Sequence, residues 1–298
     1  MFDRIPGRLR ERIGFEVQDT IRGPALRLGP YLEPHGDPGV LGPGSVAWRV
    51  HADLPGMLMG GLGALLLQSL HPQAMAAVDQ HSAFREDPIG RLRRTSAFVA
   101  VSTFGSKQAF DAAAERVIRI HATVTGDGPD GRPYTASDPR LLTWVHVAEV
   151  SCFAAGYQLY AKPLDRADLD RYYAQMAVIA ERLGATGIPR SADEVDAYFA
   201  GMRPELRATP PALDALRFLR HFGADARQRI AVRILINGAI GVLPRWARAE
   251  LGMRRPRIVR ALIDRPLALA AAGVLRWACG PSPIVGAAMA RTGERYEP

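Results

Sequence analysis

Between Trp48 and Thr95 the chain sets three of its seven histidines, His51, His71 and His81, and the cluster Arg91, Arg94 and Thr95 around an almost uninterrupted apolar run. Polar groups in a segment hydrophobic enough to be core are costly unless they hold something, because a buried group without a partner loses roughly 1–3 kcal/mol. Two of the three later histidines extend the pattern. His121 ends an amphipathic stretch with Val117 and Ile118 one turn before it, and His146 lies in TWVHVAEVSCF with Glu149 one turn later. A buried cofactor or catalytic pocket is the chemistry these residue types suggest.

Each candidate carries more than one reading. An imidazole delivered by a helix into apolar surroundings, as at His121, suits a hydrogen-bonded core residue or a haem iron ligand. His146 and Glu149 form an H-x-x-E pair that could ligate a metal, serve as an acid–base pair without haem, or rest as a buried neutral couple. A di-iron bundle needs two E-x-x-H pairs and two more carboxylates, which the sequence does not supply. Arg91 and Thr95 are one turn apart, so a guanidinium and a hydroxyl can share a helical face and hold a carboxylate, or form a solvated first turn. His71, next to Pro72, reads as the residue that ends the apolar helix. Gly60, Gly61 and Gly63 suit either close helix packing or contact with a flat ligand. Cys279 lacks the sequence context of a haem-thiolate enzyme, and the sequence holds no P-loop, G-x-S-x-G elbow, H-E-x-x-H or zinc-finger spacing.

The elements that must position these residues are helices. Apolar positions recur every three or four residues, and alternating runs long enough for strands are nearly absent. The fold class expected is all-α, a single-domain helical bundle over 1–298, with a core near 41–245 and helical or loop extensions at 1–40 and 246–298. Ser106 should open a helix through His121, Asp138 one through Leu159, and Asp165 one that stops at Gly184. Ser191 with Glu194 has capping-box spacing, and Thr209-Pro210 begins the next helix. The Gly- and Pro-rich segments 36–44 and 125–133 read as loops.

The formal net charge is +8, carried by arginine with only Lys107 and Lys162 as lysines. No basic stretch interleaves with aromatics, which argues against a nucleic-acid partner. The arginine-bearing helices after Arg217 suit a peripheral contact with an anionic membrane or simply solvated faces. The start has no apolar signal region, no apolar run reaches the ~20 residues of a spanning helix, and two lone cysteines fit a reducing compartment. The expected location is cytoplasmic.

Taken together, GPGSVAWRVHAD, GGLGALLLQSLHPQAM, DQHSAF, DPIGRLRRT, FVAVSTFG, RIHATVTG and the later WVH resemble the MpaB/rubber-oxygenase family, which includes latex clearing proteins and the fungal oxygenase of mycophenolic acid biosynthesis. The likeness covers at least Leu41 to Asp196. It implies a globin-like helical core holding haem b, an iron ligand at His121, and action with O2 on an apolar substrate. Arg91, Arg94 and Thr95 match the R-x-x-K-T motif of the latex clearing proteins and would be the catalytic, distal residues. His121, Arg91, His71, His146 and Gly60 would contact the cofactor, and His51 and His81 would support the pocket. The family's lysine can ligate iron, whereas the guanidinium at Arg94 stays protonated and has no lone pair to give. With no export signal, polyisoprene is a poor substrate, and a small isoprenoid, lipid or secondary metabolite fits better. The other function expected of such a pocket is haem or lipid binding without turnover.

Overall fold

A computed structural model describes residues 7–23, 26–253 and 255–294, so the first six and last four positions of the expected single-domain span lie outside the described residues. Ahead of the apolar centre come α1 (Gly7–Arg22), α2 (Gly29–Leu32) and α3 (Val46–His51). Then follow α4 (Leu54–Gln68), α5 (Pro72–His81), α6 (Pro88–Phe104) and α7 (Lys107–His121). A small antiparallel pair, β1 (Thr125–Asp127) and β2 (Pro133–Thr135), leads to α8 (Pro139–Tyr160), α9 (Arg166–Arg182), α10 (Ala192–Met202) and α11 (Pro210–His221). The rest comprises α12 (Ala226–Val242), α13 (Arg245–Glu250), α14 (Arg257–Val259), a π-helical turn at Arg260–Asp264, α15 (Arg265–Cys279) and α16 (Pro283–Thr292). The protein is all-α apart from one three-residue ladder.

The helix starts are written locally. Asp53, Asp87, Ser106, Asp138, Asp165 and Ser191 each accept a hydrogen bond from a backbone N–H of the first turn they precede. Those first-turn N–H groups have no intrahelical partner, so each cap is worth about 1 kcal/mol. The capping box at Ser191 is displaced by one residue, since Glu194 accepts from the N–H of Arg190 rather than from that of Ser191.

The segment 125–133, expected to be a loop, contains a strand. Thr125 pairs with Thr135 and Asp127 with Pro133, and Gln80 anchors the hairpin by donating to the Asp127 carbonyl and accepting from the Tyr134 hydroxyl. Three residues are too few to show an alternating pattern, and the tertiary anchor is 47 or more residues away.

α4 and α8 form the axis of the molecule. A Cβ on Gly56 would lie 3.1 Å from the Tyr157 Cα, and one on Gly60 would lie 2.8 Å from the Cys152 carbonyl oxygen and 3.0 Å from the Phe153 Cα. Higher numbers on one helix meet lower numbers on the other, so the pair is antiparallel and its backbones touch where side chains are missing. Around this axis the main apolar cluster draws on α3 through α15, with Trp144, Val147, Leu67 and Tyr172 fully buried.

α6 and α7 form a helical hairpin about Gly105 and Ser106. Its turn is fastened by Arg291 from α16, which is 1 % exposed and donates to the carbonyls of Asp37 (2.8 Å), Tyr31 (3.1 Å) and Phe104 (2.9 Å). The two helices approach one another over a short stretch, whereas α4 and α8 stay in contact along their length.

Candidate functional site

His121 sits at the open end of the α6–α7 hairpin. It follows Phe110 and Ala114, which are buried in the main cluster, and Val117 and Ile118, which are half-buried on the same face of α7. The end of a helix favours a charged imidazole through the helix dipole, yet burial lowers the pKa of His121 below its ordinary value. Desolvation wins, so the ring is neutral at pH 7. No hydrogen bond from the described residues reaches it. A neutral, desolvated imidazole with an uncommitted lone pair is what an iron ligand requires.

Arg91 lies at the same end. It is 14 residues before Gly105, while His121 is 15 after Ser106, which puts both roughly 20 Å from the turn along their helices. Its guanidinium donates to the Ser82 hydroxyl (2.5 Å) with its carbon 5.9 Å from the centre of the Phe84 ring. Burial lowers its pKa, though not enough to remove the charge from a group this basic. Arg91 is thus a cation held at a half-buried place with no carboxylate beside it among the described residues.

The other two residues of the motif turn away. Arg94 is exposed and pairs with Asp87 (3.1 Å), the same carboxylate that caps α6. Thr95 is exposed as well, and its hydroxyl donates back to its own helix at Arg91 and Leu92. Arg94 and Thr95, expected with Arg91 to shape a distal pocket or bind propionates, lie here on the outer face of α6, Arg94 drawn there by Asp87.

On α8, His146 and Glu149 project from one face but do not bond to each other. Burial alone drives the His146 pKa down to about 4 and that of Glu149 up to about 7. Glu149 is half-buried on the inner side of α8. Neither side chain has a hydrogen-bond or charged partner among the described residues.

Beside Glu149 runs a polar chain that sequence reasoning missed. Thr103 donates its only hydroxyl proton to the Val99 carbonyl (2.9 Å), so at 2.7 Å it must accept from Nδ1–H of His51. That fixes the tautomer. Nε2 of His51 carries the lone pair and accepts from the Tyr172 hydroxyl at 3.0 Å. Burial holds the pKa of His51 down to about 3, and it raises that of Tyr172, with the Tyr173 hydroxyl and the Glu149 charge as lesser contributors. The partners stand 52 and 121 residues from His51, so no local pattern could disclose them.

His71 does not end α4. It caps α5, accepting from the Ala74 N–H through Nδ1 (3.5 Å), and stacks obliquely 6.0 Å from Trp144. Gly60 offers no surface to a flat ligand, since the α8 backbone fills the space beside it. His81 is exposed and bonds the Thr125 carbonyl. These three hold structure. One turn beyond Glu149, Cys152 lines a cavity of about 390 Å³, with Tyr173, Asp196, Phe199, Arg203 and Trp246 among its walls. Small-molecule pockets begin at about this size.

Among the described residues no three His, Cys, Asp or Glu side chains gather as a multidentate metal site. The side chains that could hold a cofactor are His121, a single imidazole without a hydrogen bond among the described residues, and Arg91, a cation without a carboxylate beside it. In comparison with known proteins, a family model described as ER-bound oxygenase mpaB/B'/Rubber oxygenase, catalytic domain, matches residues 48–277. No curated protein and no solved structure gave a match.

Proposed function

The chain belongs to the mpaB/rubber oxygenase family, and from that premise we propose that it is a haem b-dependent oxygenase that acts with O2 on a small apolar molecule. The observation that carries this reading is His121, a desolvated imidazole without a side-chain partner among the described residues, on the inner face of α7. Bound haem would supply the iron at which dioxygen is activated. His121 would ligate that iron, and Arg91, steadied by Ser82 and Phe84, would pair with a propionate.

The remaining residues act on protons and on water. Burial raises the Glu149 pKa to about 7, so at working pH this carboxyl can take or give a proton. His146 stays neutral and can accept one. The Thr103–His51–Tyr172 chain is fully satisfied and holds Tyr172 fixed beside Glu149. The cavity behind Cys152 is the compartment we assign to the apolar substrate, because apolar and aromatic side chains make up much of its wall.

The test is the absorption spectrum of protein expressed with haem supply. A Soret band is expected, lost in His121→Ala and retained in His146→Ala. Absence of the band, or an unchanged band in His121→Ala, would overturn the ligand assignment. Oxygen uptake with isoprenoid lipids separates an oxygenase from a haem carrier, since a carrier retains the Soret band and consumes no oxygen.

A further inference from the structure

The helix that runs from α14 through the π turn into α15 carries large aliphatic residues on its outside as well as apolar residues on its inside. Asp264, Ala268, Ala272, Leu275 and Ala278 face inward. Outside, Ile258 is 66 % and Leu262 70 % exposed, and Ile263, Leu267 and Leu269 are exposed beside them. The inner face is pinned where the Arg255 guanidinium grips Asp264 at 2.8 Å, and the wider π turn brings both Leu262 and Ile263 to the surface.

The charge around these side chains is one-sided. From Ala226 to Arg265 the sequence has ten arginines and two acids, Glu250 and Asp264, a net +8 that equals that of the whole chain. Asp264 is buried and taken. Arg227, Arg233, Arg257, Arg260 and Arg265 have no carboxylate partner among the described residues. α12, packed against this helix, adds an exposed Ile230 between Arg227 and Arg233.

We propose that the outer face of residues 255–269 docks on the surface of an anionic lipid bilayer, with the aliphatic tips entering the headgroup boundary and the arginines meeting lipid phosphates. Aliphatic side chains among unpaired guanidinium groups are the composition of an interfacial helix. A single-stranded nucleic-acid platform would instead present aromatic rings for base stacking, and none is among the exposed large side chains of this face. No described helix is long and apolar enough to cross a membrane, so the contact is lateral. This inference rests on surface composition and stands whether or not haem is bound.

The experiment is flotation of the full-length protein with phosphatidylglycerol vesicles, phosphatidylcholine vesicles, and an oligonucleotide of equal charge as competitor. Binding is expected to phosphatidylglycerol alone, weakening with salt. Both Ile258→Ser/Leu262→Ser and Arg257→Glu/Arg260→Glu should lower vesicle affinity by at least about ten-fold. All four positions are exposed or half-exposed, and unchanged circular dichroism would show that the fold is kept. Three results would overturn the proposal: no binding to anionic vesicles, binding untouched by the serine pair, or displacement by the oligonucleotide with a dissociation constant the serine pair leaves unchanged. A concentration-dependent dimer abolished by the serine pair would likewise reassign the face to a second copy of the chain.

Discussion

Glu149→Gln tests the interior of the candidate site without reference to any cofactor. In the folded protein the carboxyl titrates near 7 instead of 4.5 because burial penalises its charged form. The acid's folded value is raised, so the stability it contributes is fully present below pH 4.5 and is lost as pH rises through 7. Each unit between the two values is worth about 1.4 kcal/mol, which makes the total about 3 kcal/mol. His146 and His51 behave in the opposite sense. Their folded values are depressed to about 4 and about 3, so their contribution is present above pH 6.5 and lost in acid. Both are common to wild type and variant and cancel in the difference. Urea unfolding of haem-free wild type and Glu149→Gln should therefore give nearly parallel stabilities up to pH 5. Above pH 8 the variant gains about 3 kcal/mol on the wild type, a midpoint shift of roughly 1 M or more. A difference that stays flat to about 0.5 kcal/mol from pH 5 to 8.5 would mean that Glu149 has a partner or open water, and the acid–base role assigned to it would go with it.

Neighbouring glycines on α4 should respond with opposite signs. Gly60→Ala forces a methyl group against the α8 backbone and should lose about 1–2 kcal/mol, overpacking outweighing helix propensity. At Gly61 the new Cβ meets only the Phe153 ring at 3.6 Å, so alanine there should gain up to about 1 kcal/mol, both read from urea midpoints. Tyr172→Phe leaves Nε2 of His51 buried without a donor and should cost about 1–3 kcal/mol in the same assay. Arg94→Ala should change stability by no more than about 0.5 kcal/mol and leave haem uptake intact, because its ion pair with Asp87 is solvent-exposed. Arg91→Ala should weaken haem retention about ten-fold in a transfer assay, as expected for loss of one charge-assisted contact to a carboxylate.

The parts of this fold that read from sequence are those whose physics is local. The caps at Ser106, Asp138, Asp165 and Ser191 bond to N–H groups within the next turn, so residue type and spacing were enough to find them. The inward face of α7, and with it the placement of His121, followed from the apolar period. His71 misled because Pro72 marks equally the end of one helix and the start of another, and only the Ala74 N–H shows which. Arg94 misled because the motif names its residues and not the competing anion at Asp87. The histidine with the tightest network, His51, was hidden for the opposite reason, since Thr103 and Tyr172 reach it from distant helices.

The guanidinium of Arg291 sets a limit on how the chain can be divided. It comes from α16, beyond the family-matched stretch 48–277. It occupies the carbonyls of Asp37 and Tyr31, which precede that stretch, and of Phe104, which lies within it. A chain trimmed to the matched residues would lose that cation. It would also strip Ile284, Val285 and Ala288 from the buried faces of Trp48 and Phe104 and leave the hairpin that carries Arg91 and His121 loose at its turn. Expression of the matched stretch alone should therefore yield aggregate where the full chain yields soluble protein.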